Sequence, residues 1–559
     1  MKLAPMIDHR RLLIVSALAA LLGGCAGTPP RATSPVTVKV LAINDFHGNL
    51  LPPAGGIRIK DPADAAKTVN LPAGGAEHMA TAVAELRRKN PNHVFVAAGD
   101  LIGASPLLSA LFRDEPTIQA LSLMGLEASA VGNHEFDRGR AELLRLQRGG
   151  CHPEDGCKGP SPFTGATFKY LAASTLDEAS GATLFPPYFV KHFEGIPVAF
   201  IGLTLKDTPS IVVPSGVRGL TFRDEAQTVN ELVPVLRKQG IEAIVLLIHE
   251  GGLPSGDYNE CPGISGPIVD IVKKLDRGVG PVISGHTHRA YICRIDGRLV
   301  TSGDKFGTIV TEIDLVLDPK SGAVTSASAN NVIVRTDRFA KDAAQAQLIA
   351  AYEPLAAPLA KRVIGRIAAP LTRDESAAGE MPVGQVVADA QLAATRAAAD
   401  GGARLALMNP GGLRAPLNPA AGGEVRYEDL FAVQPFYNNL VTLTLSGAQL
   451  LQVLEAQWLN QPRPRILQVS NGFAYTWDAA RPPGARVVPG SATLNGRALD
   501  AGADYRVTVN SFLAGGGDNF AVFKQGRDVR TGAMDVDAFE QYLAANPALA
   551  TAPRILRVN

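Results

Sequence analysis

Five apolar runs in the first half of the chain stop on residue types that bind metal ions, and this pattern constrains the fold more than any other. Val40-Leu41-Ala42-Ile43 runs into Asn44-Asp45-Phe46-His47-Gly48, and Val94-Phe95-Val96-Ala97-Ala98 into Gly99-Asp100. Ala128-Ser129-Ala130-Val131 meets Gly132-Asn133-His134-Glu135-Phe136-Asp137. Val245-Leu246-Leu247-Ile248 ends in His249-Glu250, and Val282-Ile283-Ser284 in Gly285-His286-Thr287-His288. Ligand sites of open α/β sheets lie beyond the carboxyl ends of the strands, so the five termini should converge. The two-residue spacing of Asp45/His47 and of His286/His288 aims each pair to one side if strand geometry persists. Glycines 48, 99, 132 and 285 let the backbone turn sharply beside them.

Any one of these histidines could be a hydrogen-bonded rim residue, and Gly-Asp after a strand is ordinary turn chemistry. Five such endings are not accounted for that way. Carboxylate, amide and imidazole ligands without cysteine suit zinc, manganese, iron or cobalt better than a soft metal. There are enough of them for two ions. Two neighbouring cations can bind and deprotonate a bridging water and stabilise an in-line displacement at phosphorus.

The rest of this half alternates strand-like and helix-like segments. Strands are predicted over 38–43, 93–98, 198–203, 241–248 and 282–284, and helices over 76–89, 141–147 and 225–239. Such alternation predicts a layered α/β domain, 36–336. Residues 337–362 are Ala-rich and helical in character, interrupted by Pro354 and Pro358, and read as a linker. A second, smaller α/β domain is expected over 363–559, with helices at 386–399 and 447–459 and strands at 404–408, 440–445 and 505–509.

The N-terminus reads as an export signal. A basic stretch, His9-Arg10-Arg11, precedes an apolar run over 12–22, too short to span a bilayer comfortably. Leu22-Gly23-Gly24-Cys25 resembles a bacterial lipobox, so 1–24 would be removed, Cys25 lipidated and 25–35 left as a tether. This predicts a protein on the periplasmic or cell-surface side, held to the membrane by that lipid alone. The other four cysteines fit an oxidising compartment; they permit three pairings, of which Cys151–Cys157 and Cys261–Cys293 is favoured, all four in surface segments. A net charge of +1 gives no electrostatic case for bulk nucleic acid as a partner. No obligate protein partner is expected.

The motifs D-x-H, G-D, G-N-H-E/D, H and G-H-x-H occur complete and in order, and the chain resembles the calcineurin-like metallophosphoesterases. The likeness extends to the two-domain bacterial 5'-nucleotidases and UDP-sugar hydrolases. It implies a four-layer metallophosphoesterase β-sandwich flanked by helices, plus a smaller C-terminal substrate-binding domain. It also implies that Asp45, His47, Asp100 and His288 hold one divalent ion (Zn, Mn, Fe, Co or Mg). Asp100, Asn133, His249 and His286 would hold the second, with His134 the catalytic histidine and Asp137 its orienting partner.

In the second half, Asn409-Pro410-Gly411-Gly412-Leu413-Arg414 resembles the family's N-x-G-G-x-R substrate loop. Gln434-Pro435-Phe436 and the segment from Asn510 to Asp518 resemble its two base-stacking segments. By that likeness Phe436 and Phe512 sandwich a nucleobase, Asn409 and Asp518 contact base or ribose, and Arg414 and Arg373 meet phosphate. Two departures stand out: Met381-Pro382-Val383-Gly384-Gln385 where many members carry Gly-Asn, and Pro410, which removes a backbone donor from the loop.

The implied activity is release of phosphate from nucleoside 5'-monophosphates, and from di- and triphosphates or UDP-sugars, by attack of a metal-bridging hydroxide. The same scaffold could serve a 2',3'-cyclic nucleotide phosphodiesterase/3'-nucleotidase or a thiosulfohydrolase; the aromatic pair argues against the last. A non-catalytic surface-binding lipoprotein is a third reading, disfavoured by the intact ligand set.

Overall fold

The computed structural model describes residues 32–559 apart from 462, 548 and 550. The expectations placed on 1–24 and on lipidation of Cys25 lie outside the described residues, as does most of the tether. Among the described residues no helix is long and apolar enough to cross a membrane.

Two six-stranded sheets carry the first half. One has at its centre Val36–Ile43 pairing in parallel with His93–Ala97, followed by Ala128–Ala130 and Lys169–Leu171. Ile309–Leu317 and Val324–Ile333 close it antiparallel on the other side. The second sheet runs Ile196–Thr204, Ala243–His249, Val279–Ser284 and Arg298–Gly303 in parallel, with antiparallel edges Tyr188–Phe193 and Ala290–Ile295.

Alternate residues explain why the sheets stack. Val38, Val40, Ala42, Val94 and Val96 of one sheet face Val198, Phe200, Val245 and Leu247 of the other in one apolar layer. Leu41, Ile43, Phe95 and Ala97 point the opposite way, against helices Ala76–Arg87, Glu115–Leu123 and Gly139–Arg148. Ile201, Leu203, Leu246 and Ile248 pack likewise beneath helices Glu225–Lys238 and Pro267–Lys274. The order is helix, sheet, sheet, helix. Strands buried on both faces read as continuous apolar runs rather than as alternation, which is why they were legible in the sequence.

Helix Ala343–Ala360 runs unbroken through Pro354 and Pro358, correcting the expected interruption. Both prolines lie on its exposed face, so the carbonyls deprived of a partner can turn to water. The buried face packs Ile349 and Tyr352 on the first half; Tyr352 meets Phe112 edge-on at 4.8 Å and donates from its hydroxyl to Gln119 Oε1 at 2.9 Å.

The second half has a five-stranded sheet ordered Gln468–Val469, Leu405–Met408, Asp504–Asn510, Asn439–Ser446 and Arg527–Met534. Helices Pro382–Thr395, Gly447–Ala456 and Asp535–Ala545 cover it. Its core extends to Leu107 and Ala110 of the first half, so the halves share apolar packing. Cys151 bonds to Cys157 and Cys261 to Cys293. Cys293 is not at the surface as expected: it lies buried in strand Ala290–Ile295, its side chain turned to the core under helix Pro267–Lys274.

Candidate active site

The carboxyl ends of three adjacent parallel strands of the first sheet and two of the second deliver Asp45, His47, Asp100, Asn133, His249, His286 and His288 to one place. Strand geometry does not persist through the paired residues. Asp45, His47, Asp100, His286 and His288 all take left-handed backbone, with φ of 50°, 45°, 50°, 71° and 53°. Each chain end thus coils back on itself at the ligand-type residue instead of projecting side chains by alternation. Asp, Asn and His are less destabilised by this conformation than other non-glycine residues. Five at one site is a concentration of strain of the kind found where geometry is functional.

The side chains form three overlapping groups, each with its ligand atoms within 4.8 Å of one another: Asp45, His47 and His288; His47, Asp100 and His134; and Asp100, His249 and His286. Asp100 Oδ2 lies 2.9 Å from His249 Nε2 and 3.6 Å from His47 Nε2, so it stands between the groups. The orientation of the rings argues for cations. His47 Nδ1 bonds the Gly103 carbonyl at 2.8 Å and His249 Nδ1 that of Ala98 at 2.8 Å, which makes these nitrogens the donors. The His47 Nε2 lone pair then faces His288 Nε2 at 3.1 Å, and His249 Nε2 lies 2.9 Å from Asp100 Oδ2, a place for either a proton or a cation. Lone pairs do not approach so closely without a proton or cation between them. Asn133 Oδ1 and His249 Nε2 are buried with no hydrogen-bond partner. The donor set therefore fits divalent ions.

The electrostatics point the same way. Burial, then the charge of His249, pushes His286 down to about 3. Burial also holds His47 and His288 well below the usual imidazole range, so these three are neutral donors. His249 differs: burial lowers it, but the Asp100 carboxylate more than offsets this and raises it to about 10, so its ring holds a proton that a bound cation would replace. Burial opposes ionisation of Asp100, but His249 and His134 outweigh it and keep the carboxylate well below its ordinary pKa.

Glu135 is a structural contributor that sequence reasoning passed over. It is 2% exposed and accepts from the backbone N–H of Asp100 at 3.0 Å, Leu101 at 2.8 Å and Gly132 at 2.7 Å. It ties two strand ends together beneath the ligands. The only hint was a carboxylate beside His134 with two glycine-bearing turns left to satisfy. Gly132 is tightly held as well: a β-carbon there would lie 2.2 Å from Asp100 Oδ1.

His134 sits in a short 3-10 turn, His134–Phe136, and its ring joins His47 and Asp100 in the middle group. Its N–H donates to Asp100 Oδ1 at 2.9 Å and its ring Nδ1 bonds Asp137 Oδ2 at 2.8 Å. Burial lowers its pKa, but Asp137 and Asp100 more than offset this and raise it above the ordinary value.

From the second half, Phe436 stacks on the His134 ring at 5.8 Å with 23° between the planes. Arg414 lies 5.9 Å from the Phe436 centroid, and its Nη2 is buried without a partner. Arg373 donates to the Arg414 carbonyl at 3.2 Å. Phe512 lies against Gly517, where a β-carbon would come within 2.5 Å of its ring. Asn409 and Asp518 are held by each other and by neighbouring side chains. Asn409 Nδ2 donates to Asp518 Oδ2 at 2.9 Å, and Asn409 Oδ1 accepts from Asn510 Nδ2 at 2.9 Å. Asp518 Oδ1 is taken by Arg465, a residue sequence reasoning did not single out. Gln-Pro-Arg-Pro-Arg reads simply as a loop, and the contact spans too much chain to be inferred.

Comparison with known proteins follows the same division of the chain. Residues 38–290 match the calcineurin-like phosphoesterase family, and residues 363–525 match the 5'-nucleotidase C-terminal domain. The chain is 31% identical to the cell wall protein Lmo0130 of Listeria monocytogenes over 95% of its own length and 70% of that protein. It is also 31% identical to endonuclease YhcR of Bacillus subtilis over 93% of its length, but spans only 41% of that protein. Among solved structures, a 5'-nucleotidase precursor from Thermus thermophilus superposes with a TM-score of 0.75 at 26% identity, covering 94% of this chain and 100% of that one. The chain belongs to the two-domain family that joins a calcineurin-like phosphoesterase to a 5'-nucleotidase C-terminal domain.

Proposed function

We propose that this chain is an exported, lipid-anchored phosphoric monoester hydrolase that releases phosphate from nucleoside 5'-monophosphates. One observation carries the reading: the ligand groups, joined through His47 and Asp100, include His134, which is paired with Asp137 and stacked by Phe436 from the other half, with Arg414 beside that ring. A 5'-nucleotidase of Vibrio cholerae, 24% identical over 96% of this chain, supports the substrate class.

Asp45, His47, Asp100 and His288 would hold one divalent ion, and Asp100, Asn133, His249 and His286 the other. Such ions supply Lewis acidity toward a phosphoryl oxygen and lower the pKa of bound water. The chain's own residues do the rest. Asp137 fixes the His134 tautomer so that Nε2 presents a proton to the transferring phosphoryl group or its leaving oxygen. Arg414, desolvated and unpaired at Nη2, offers a donor to a phosphate oxygen. Phe436 excludes water from the far side of His134 and gives a base or ribose an apolar edge.

The test uses metal-reconstituted protein: phosphate release from AMP, ADP and 3'-AMP, product chromatography for UDP-glucose and 2',3'-cyclic AMP, and sulfate release from thiosulfate-type substrates. Preferential hydrolysis of 5'-monophosphates supports the proposal. Preference for cyclic or 3'-nucleotides, or no phosphate release from any, overturns it.

A further inference from the structure

A sixth strand end opens on the face that carries the ligand residues, and the proposed reaction leaves it unused. Strand Arg298–Gly303 pairs in parallel with Val279–Ser284, so its carboxyl end points the same way as that of the strand before His286. It runs into Asp304-Lys305-Phe306-Gly307. Asp304 and Phe306 both take left-handed backbone, with φ of 58° at each. For a residue as bulky as phenylalanine that conformation is an outlier, held only where the surroundings impose it. Here the first ligand turn imposes it. The Phe306 N–H donates to the Asp45 carbonyl at 2.7 Å, Asn44 Nδ2 to the Asp304 carbonyl at 2.8 Å, and the Gly303 N–H to Asn44 Oδ1 at 2.7 Å.

What this turn delivers is a ring and a cation. Phe306 stands edge-on to His47 at 5.9 Å and to His288 at 5.8 Å. Lys305 Nζ lies over the Phe306 ring, 5.2 Å from its centroid. The ammonium is therefore one aromatic ring removed from two of the ligand-type histidines. Lys305 is half-buried, and among the described residues its side chain has neither a hydrogen bond nor an ion pair. The neighbouring carboxylate does not take it: Asp304 Oδ2 accepts from Thr308 Oγ1 at 3.2 Å instead. Burial lowers the Lys305 pKa, and Arg373, Arg414 and Arg289 lower it further against the opposing charge of Asp304, in keeping with a place that faces the second half across the cleft. A desolvated ammonium without a partner is destabilised until an anion joins it.

The end of the site at which it stands says which anion. Phe306 meets His47 and His288, whereas His134 meets His47 and Phe436, with Arg414 beside the Phe436 ring. Lys305 thus belongs to the Asp45, His47 and His288 end, and the aromatic residues proposed to hold a nucleoside belong to the other. An anion reached by Lys305 is then the phosphate over the ligand groups rather than anything on the leaving group.

We propose that Lys305 is a further substrate-binding residue, whose ammonium leaves the Phe306 ring to donate to a non-bridging oxygen of the phosphoryl group and afterwards holds the phosphate released. A cation on an aromatic face is held weakly at a partly exposed site, and a charge-assisted hydrogen bond to phosphate is stronger, so the exchange is favourable. The contact is the same whatever the phosphate is esterified to. Lys305 therefore grips the phosphate from the first half as Arg414 does from the second, and the inorganic phosphate product competes with substrate for both. The inference rests on the proposed phosphomonoesterase reading.

The experiment compares Lys305→Gln and Lys305→Arg with wild type in the metal-loaded full chain. It measures the calorimetric Kd for inorganic phosphate, kcat/KM for AMP, ADP and ribose 5-phosphate, and metal content by elemental analysis. Lys305→Gln should weaken phosphate binding by about 10-fold, the scale of one charge-assisted hydrogen bond. It should lower kcat/KM for AMP and ribose 5-phosphate by a similar factor while metal content holds, and Lys305→Arg should keep most of the affinity. A wild type that does not bind phosphate, or a Kd unchanged in Lys305→Gln, overturns the proposal and leaves Lys305 as packing on Phe306. Metal lost together with phosphate affinity also overturns it, because the side chain would then act through Phe306 on His47 and His288. So does a loss confined to ADP, which would put Lys305 against a second phosphate. If wild type hydrolyses none of the three esters the phosphomonoesterase reading fails, and the phosphate Kd alone then upholds or refutes the Lys305 contact.

Discussion

At the scale of single residues, the site depends on backbone that few side chains tolerate and on atoms with no spare room. Asp100 stands between the outer ligand groups, so Asp100→Asn should lower metal content, measured by elemental analysis, as well as turnover. His134→Ala should keep the metal content while turnover falls by roughly 10²-fold or more, the scale of removing an acid/base or charge stabiliser. Equal metal loss in the two variants would place His134 among the ligands. Gly132→Ala drives a methyl into the Asp100 carboxylate, since that β-carbon would stand 2.2 Å from Oδ1. It should therefore reproduce the Asp100 phenotype although glycine itself binds nothing. The ligand types were legible in the sequence because five apolar runs ended on them. Their left-handed backbone was not, because a sequence shows that Asp or His can coil but not that neighbouring strands force it to.

The element scale holds a pH effect that does not involve the site. Asp535 opens helix Asp535–Ala545, where the helix dipole favours a carboxylate, yet it is 1% exposed and burial pushes its pKa up to about 7. An acid whose pKa is raised in the folded state binds its proton more tightly there than when unfolded. Stability is then greatest below the unfolded value near 4 and falls as pH rises toward about 7, above which the cost is complete. Asp535→Asn removes that cost and still accepts from the Val536 N–H, bonded at 2.8 Å in the wild type. Its midpoint in urea should exceed wild type at pH 8 and match it near pH 4; equal midpoints at both would show the carboxylate is not desolvated. Elements differ in how well the sequence announced them. Helix Ala343–Ala360 carried a helical composition, but its two prolines argued for a break. Which face they occupied decided the matter, and that face is set by the packing of Tyr352 on Phe112.

Across the whole molecule, the two halves meet through aromatic and backbone contacts at the cleft. Phe436 lies on His134, and a β-carbon on Gly515, in the loop after Phe512, would touch Pro214 at 3.0 Å. The two phenylalanines should consequently behave differently. Base–aromatic stacking is worth about 1–3 kcal/mol per base, so Phe512→Ala should reduce kcat/KM for AMP by roughly 5- to 150-fold. Hydrolysis of ribose 5-phosphate, which has no aromatic ring to stack, should be nearly spared. Phe436→Ala removes a contact to the His134 ring itself and should depress both substrates. If Phe512→Ala lowers both equally, its ring supports the fold and does not read a base. The aromatic segments could be picked out from sequence, but their contacts in this arrangement could not, because they depend on how one half sits on the other.

The left-handed turns at five ligand-type positions also have an evolutionary consequence. Side-chain chemistry alone would let glutamate or cysteine replace aspartate or histidine at many metal sites. Here the left-handed backbone, which Glu194 and Phe306 show is not closed to other residues, nonetheless favours Gly, Asn, Asp and His at 45, 47, 100, 286 and 288 before ligation is tested. Drift at these positions is thus channelled among residues that mostly still coordinate cations. A lineage exploring this site can change which metal it prefers in small steps, yet cannot easily wander out of metal binding. Grafting the site onto another scaffold would likewise require copying five kinks of the chain as well as seven side chains.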